Sequence, residues 1–219
     1  SELEMAVRSI AQFAERNHIA IPDKIWPERL PNMLLLDSLK APEWNKLAAV
    51  VGLVDDPAVQ KQYPLEIGLT KTGCFLVYGA GQTGKTTFLR TFALSMLENN
   101  APDMLTMYIV ESAIGDFDGF EAFPHVKKVS NIYSAADVIK EINALLEKRR
   151  KQRMDKGTKK IVCLVDNLNG IIADYKGEIL NIVQNGPGQG IYLIAAATQA
   201  GGAASIMAVE NLIKTGYSF

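Results

Sequence analysis

The segment Gly79-Ala80-Gly81-Gln82-Thr83-Gly84-Lys85-Thr86 lies between the apolar run Cys74-Phe75-Leu76-Val77-Tyr78 and a helix-forming stretch from Thr87 to Leu97. Strand, glycine-rich loop and helix in that order make a phosphate-binding P-loop. The glycines let successive backbone N–H groups curl around a β-phosphate, and the helix N-terminus adds partial positive charge. Lys85 has the reach for β- and γ-phosphates, and the Thr86 hydroxyl is a ligand for Mg²⁺. The expected ligand is ATP with Mg²⁺, held by Gly79, Ala80, Gly81, Gln82, Thr83, Gly84, Lys85, Thr86 and Thr87.

Outward from this loop the pattern alternates β and α. Apolar runs at 74–78, 104–110, 161–165 and 191–197 read as strands, and residues 85–98, 134–151, around 174–184 and near 205–213 as helices. Strands without polar alternation, separated by helices, imply a mainly parallel β-sheet covered on both faces: an α/β fold. Before the loop, residues 5–18 carry Val7, Ile10, Phe13 and Ala14 at helical spacing. Pro22, Pro27, Pro31 and Pro42 then punctuate a stretch with no long regular structure. Residues 48–54 are a short strand candidate, and Asp56 before Pro57 predicts a helix start. The expected division is an N-terminal helical and irregular extension over 1–50 and an ATPase module over 51–219.

The strand 161–165 ends in Asp166. An aspartate there, downstream of a P-loop, is the Walker B group expected to hold Mg²⁺ through water. The bland alternative is a loop aspartate capping the next helix. Many strand-extended P-loop ATPases place an acid directly after it to polarise the attacking water, but here the residue is Asn167. An amide has no useful basicity, so hydrolysis is expected to be slow or to depend on another group. Glu111, ending the strand after the P-loop helix, is the candidate catalytic substitute, because RecA-like ATPases can face a glutamate there toward the γ-phosphate; a solvated loop carboxylate is the alternative. Thr198 and Gln199 end the strand 191–197 and are sensor candidates, since open α/β sheets bind ligands at the carboxyl ends of their strands.

The 219 residues carry 23 basic and 24 acidic side chains, so no overall bias toward nucleic acid or anionic lipid follows. The basic stretch Lys148 to Lys160 lacks interleaved aromatics for base stacking and reads as a cationic helix end followed by a solvated loop, although one of its arginines is a candidate arginine finger. Cys74 and Cys163 sit in apolar runs and read as reduced core residues, which fits a cytosolic compartment. His18 and His125 have no partner at metal-ligand spacing and read as structural. The chain begins with Ser1 and its last residues resemble a strand cut short, so a piece of a longer protein is expected.

Several segments resemble the ATPase modules of the FtsK/SpoIIIE superfamily, and within it the EssC/EccC proteins of type VII secretion. These are Ile25-Trp26-Pro27 with Leu30-Pro31, Leu36-Asp37-Ser38-Leu39, Gly52 through Asp55-Asp56-Pro57 to Gln60 and Gln62 with Pro64-Leu65, the P-loop, Phe123-Pro124-His125-Val126, the helix ending Leu146 to Arg150, Asp166, and Thr198-Gln199. The likeness spans nearly the whole chain. It implies a RecA-like P-loop ATPase fold in a C-terminal module, the last of a multi-ATPase chain anchored at the cytoplasmic side of the bacterial membrane. It also implies neighbouring ATPase modules, a homo-oligomer, and a partner in the C-terminal signal of a small WXG-type secreted substrate. Two departures stand out: Asn167, and the turn Glu111-Ser112-Ala113-Ile114-Gly115. The competing function is a DNA translocase motor; balanced charge and the missing acid speak against it, and nucleic acid is not the expected partner.

Overall fold

The computed structural model describes residues 2–19, 28–152, 158–198, 204–213 and 215–218. The chain divides into two compact units, Ser1–Asn32 with Leu53–Tyr63, and Met33–Gly52 with Pro64–Phe219.

In the larger unit, β3 (Phe75–Tyr78), β4 (Leu105–Glu111), β5 (Val126–Asn131), β6 (Lys160–Val165), β7 (Ile191–Ala197) and β8 (Thr215–Ser218) form one sheet in the order β5-β4-β6-β7-β3-β8. Every adjacent pair is parallel. Connections run through α3 (Lys85–Glu98), α4 (Ala135–Lys151), α5 (Ile172–Asn185) and α6 (Ala204–Glu210).

The period-two geometry of a strand sorts its side chains onto two faces. Phe75, Val77, Leu105, Met107, Ile109, Val162, Leu164, Ile194 and Ala196 pack with Leu89, Phe92, Ala93 and Met96 of α3. Leu76, Tyr108, Val110, Cys163, Val165, Leu193 and Ala195 pack on the other face with Val138, Ile139 and Ile142 of α4 and Ile179 and Ile182 of α5. The strands are apolar at both parities because both faces are covered. Cys74 and Cys163 are free and buried in this core, where desolvation pushes each thiol up to about 12.

The strand and helix flanking the P-loop are clasped by aromatics. Phe75 meets Phe92 edge-on at 5.4 Å and Phe88 at 6.5 Å between ring centres. Such contacts add about 1 kcal/mol each beyond burial and fix the angle at which α3 leaves the loop. Before the sheet, β1 (Ala48–Asp56) and β2 (Lys61–Gly68) pair in a two-stranded sheet, followed by the single turn α2 (Leu69–Thr72). The Val50 amide donates to Ser95 Oγ of α3 at 2.9 Å.

The helix expected from Asp56-Pro57 is absent: the chain there is the turn between β1 and β2. Asp56 does accept from the Ala58 amide at 3.1 Å, as a cap would, but Gln60 takes a left-handed φ of 54° and turns the chain back. The pairing of β1 with β2 overrides the local signal. Around that turn, in the smaller unit, Gln62 Nε2 donates to the Glu28 carbonyl at 2.6 Å and Asp55 Oδ1 at 3.3 Å. The first helix, α1 (Glu2–Arg16), has no buried residue. Also unanticipated was β5, whose Val126-Lys127-Lys128-Val129 pattern is that of an edge strand with partial cover.

Among the described residues, no helix is long and apolar enough to cross a membrane. His125 is buried, its Nε2 2.8 Å from the Asn100 carbonyl.

Candidate functional site

β3 lies between β7 and β8; the strand that follows β3 in sequence, β4, lies on one side of it, and the strand that follows β7, β8, lies on the other. That reversal opens a crevice at the carboxyl ends of the strands, where doubly wound sheets place ligands. The P-loop turns into α3 through Gln82 at φ 64° and Gly84 at φ 95°. The Gly79 amide donates back to the Ala197 carbonyl at 3.3 Å, and Thr83 Oγ1 donates to the Ala80 carbonyl at 3.0 Å.

Lys85 Nζ donates to the Gly79 carbonyl at 2.7 Å and the Ala80 carbonyl at 2.6 Å, so its ammonium lies across the loop. Thr86 Oγ1 lies 3.0 and 2.9 Å from the two carboxylate oxygens of Asp166, to which it donates. Two signatures distant in sequence therefore meet at one point: the start of α3 and the end of β6. Thr87 is exposed on the same first turn, its carbonyl accepting from Thr91 Oγ1 at 2.9 Å.

A cleft of about 200 Å³ opens here, lined by Lys85, Thr86, Ser112, Asp116, Asp166 and Asn167 with the end of β7 through Thr198. Asp166 is buried, and its carboxyl pKa is pushed up to about 6. Desolvation is the main cause and the negative charge of Asp116 adds to it, against hydrogen bonds from Thr86 and the Ser112 backbone and the nearby Lys85 charge. A carboxylate held in this way is short of positive charge, which a divalent cation supplies. Added side-chain atoms at Gly81 and Gly84 would meet nothing within 4 Å, so the loop is open toward a ligand. Backbone donors, ammonium, hydroxyl and carboxylate are the donor set that MgATP requires.

The other candidates are placed as follows. Asn167 lines the cleft, but its Oδ1 accepts from the Gly170 amide at 3.1 Å and so caps the turn after β6. Thr198 also lines the cleft, with its amide donating to Asn169 Oδ1 at 3.0 Å. Gln199 lies outside the described residues. Glu111 is buried and not among the cleft residues; its Oε2 accepts from the Phe117 amide at 3.2 Å, spanning the loop after β4. Arg149 donates to the carbonyls of Gln189 and Lys159 at 2.8 and 2.7 Å, and Arg150 to Glu147 at 3.0 Å. Arg149 is thus tied to the chain entering β6 and β7, Arg150 makes an exposed ion pair along its own helix, and Arg153, the third arginine of the stretch, lies outside the described residues.

Motif reading missed two cleft residues, Asp116 and Ser112, and Asp116 is the charged one. Its signal was a charged residue in the Gly-Asp turn Gly115-Asp116-Phe117-Asp118-Gly119, with Gly115 at φ 93° and Gly119 at φ 86°. Ser112 was missed because it contributes a backbone N–H, which no side-chain pattern reveals.

Parallel sheet, P-loop and strand-end aspartate define a P-loop ATPase fold. Residues 36–209 match the FtsK/SpoIIIE family, and the chain belongs to that family. It is 27% identical to the ESX secretion system protein EccC of Thermomonospora curvata over 91% of its length, covering 18% of that protein. It is 23% identical to the type VII secretion system protein EssC of Staphylococcus aureus over 98% of its length, covering 16% of it. Among solved structures, Thermomonospora curvata EccC (ATPases 2 and 3) in complex with a signal sequence peptide superposes with a TM-score of 0.70 at 26% identity, over 80% of this chain and 36% of that one.

Proposed function

We propose that the chain is a MgATP-binding module of a type VII secretion ATPase. Residues 51–219 form the module and residues 1–50 lead into it. In this reading the P-loop residues Gly79 to Thr87 cradle the phosphates and Lys85 offsets their charge. Thr86 and Asp166 serve Mg²⁺. Bound MgATP contributes the charge that the cleft is built to meet. The observation that carries the reading is the contact of Thr86 with Asp166 beside Lys85, which joins both nucleotide signatures in one cleft.

The module belongs to a longer, membrane-anchored chain on the cytoplasmic side of the bacterial membrane. It stands beside other ATPase modules, as the last of them, and assembles into homo-oligomers. It recruits small WXG-type substrates through their C-terminal signals and helps export them. The signal-peptide complex of its Thermomonospora relative supports this partner. Turnover is slow or absent, because Asn167 replaces the acid that polarises water and the Glu111 carboxylate is engaged by the Phe117 amide. Thr198 and Gln199, which follow β7 in the sequence, are the γ-phosphate sensors of this reading.

Calorimetry of this chain with MgATP, followed by a C-terminal WXG-type peptide and by duplex DNA at physiological salt, tests the reading. Saturable MgATP and peptide binding is expected. A DNA translocase would instead bind duplex at micromolar strength or better with a steep salt dependence and ignore the peptide, and that result overturns the secretion role.

A further inference from the structure

Asp116 lines the same cleft as Asp166, Lys85 and Thr86, near enough for its negative charge to act on the Asp166 carboxyl. It is not carried there by a strand, as Asp166 is, but by the loop after β4. Its own Oδ2 accepts from the Ala113 amide at 3.1 Å, and the Asp116 amide donates to the Ala113 carbonyl at 3.2 Å, closing the turn on itself. The next residue, Phe117, is fully buried and its amide is held by the buried Glu111. Asp116 is therefore presented from a seat anchored on both sides.

A cleft wall bearing two carboxylates beside a phosphate-binding loop is a contradiction for a bare polyphosphate, which it would repel. A divalent cation between wall and phosphates removes the contradiction. Resting on the MgATP reading above, we propose that Asp116 is a second acidic residue serving the nucleotide's Mg²⁺, alongside Asp166, and that Glu111 is the positioning residue that holds it at the cleft. Asp116 thus tunes metal dependence rather than phosphate binding itself.

The sign of the effect separates this role from a structural one. With Mg²⁺ present, neutralising Asp116 removes an attraction for the cation. With the metal chelated, the same change removes a repulsion from the phosphates. The test is ADP binding to the purified chain by calorimetry, in Mg²⁺ and in EDTA, so that no turnover is required. Wild type is compared with Asp116→Asn, Asp116→Ser (which keeps an acceptor for the turn) and Asp118→Asn, the same charge change in the same loop at a residue outside the cleft lining. The ratio of Mg²⁺ to EDTA affinity is expected to fall about tenfold in both Asp116 variants and to stay at the wild-type value in Asp118→Asn. Glu111→Gln is expected to lower the ratio in the same direction by less.

A wild type that depends on Mg²⁺, with Asp116 variants that depend on it equally, overturns the role of Asp116 alone. An equal drop in Asp118→Asn, or parallel losses in both the Mg²⁺ and EDTA arms, also overturns it. A wild type that binds no nucleotide, or binds it without regard to Mg²⁺, overturns the MgATP reading and this inference with it.

Discussion

The two sides of the cleft differ in how their residues are held. On the P-loop side, Lys85 and Thr86 stand on the first turn of α3, which is locked to β3 by Phe75, Phe88 and Phe92, and Asp166 ends a strand buried on both faces. On the other side, Asp116 rides a loop and Asn167 caps a short turn. The side built on the sheet carries the ammonium, hydroxyl and carboxylate proposed to hold phosphate and metal. The loop side keeps negative charge but lacks an acid directly after Asp166. On the proposed reading, binding and turnover thus rest on different structural supports, the first built on the sheet and the second on its loops.

The largest effect that sharpens this contrast belongs to the sheet side. Lys85→Ala is expected to weaken MgATP binding by about 3 kcal/mol, or roughly a hundredfold, because phosphate charge loses its close counter-ion. Calorimetry reads it, and equal affinities would break the assignment of the P-loop. On the loop side, Glu111→Ala leaves the buried Phe117 amide without an acceptor. A loss of about 2 kcal/mol in urea unfolding is expected, and an unchanged midpoint would mean the loop stands without its anchor.

Asn167→Glu tests turnover directly. Phosphate release is expected to rise about tenfold, or about 1.4 kcal/mol in barrier, if the missing acid is limiting. Brisk hydrolysis by the wild type would dissolve the contrast altogether. The smallest effect is expected at Arg149→Lys, where one of two carbonyls loses its donor. About 1 kcal/mol of stability goes while MgATP affinity stays unchanged; a fall in turnover without a fall in stability would return this arginine to a finger role.

Much of the sheet was legible in advance because its signal is local. The strand 191–197 and the helix 85–98 occur with the anticipated bounds, and the other core strands fall within a residue of theirs. Fully covered parallel strands must be apolar at both parities, and that pattern is dense enough to read without neighbours. What escaped was decided at the sheet's margins. Strand β5 is polar because it is an edge, and being an edge is a property of the strand order rather than of Val126–Asn131. The turn at Asp56 kept its capping hydrogen bond and still did not start a helix, because the pairing of β1 with β2 set the direction of the chain.

By itself the sequence determined the P-loop, the aspartate ending β6, the absence of an acid at position 167 and the alternation that builds a parallel sheet. Each is encoded by residues adjacent in the chain, whose backbone geometry and burial follow from their own spacing. Only the tertiary structure decided that Thr86 meets Asp166, that Glu111 turns to the Phe117 amide, and that Asp116 comes to the cleft instead. A buried carboxylate satisfies itself with whichever donor the fold brings near, and a loop's direction depends on those donors. Neither is written in the order of its own residues.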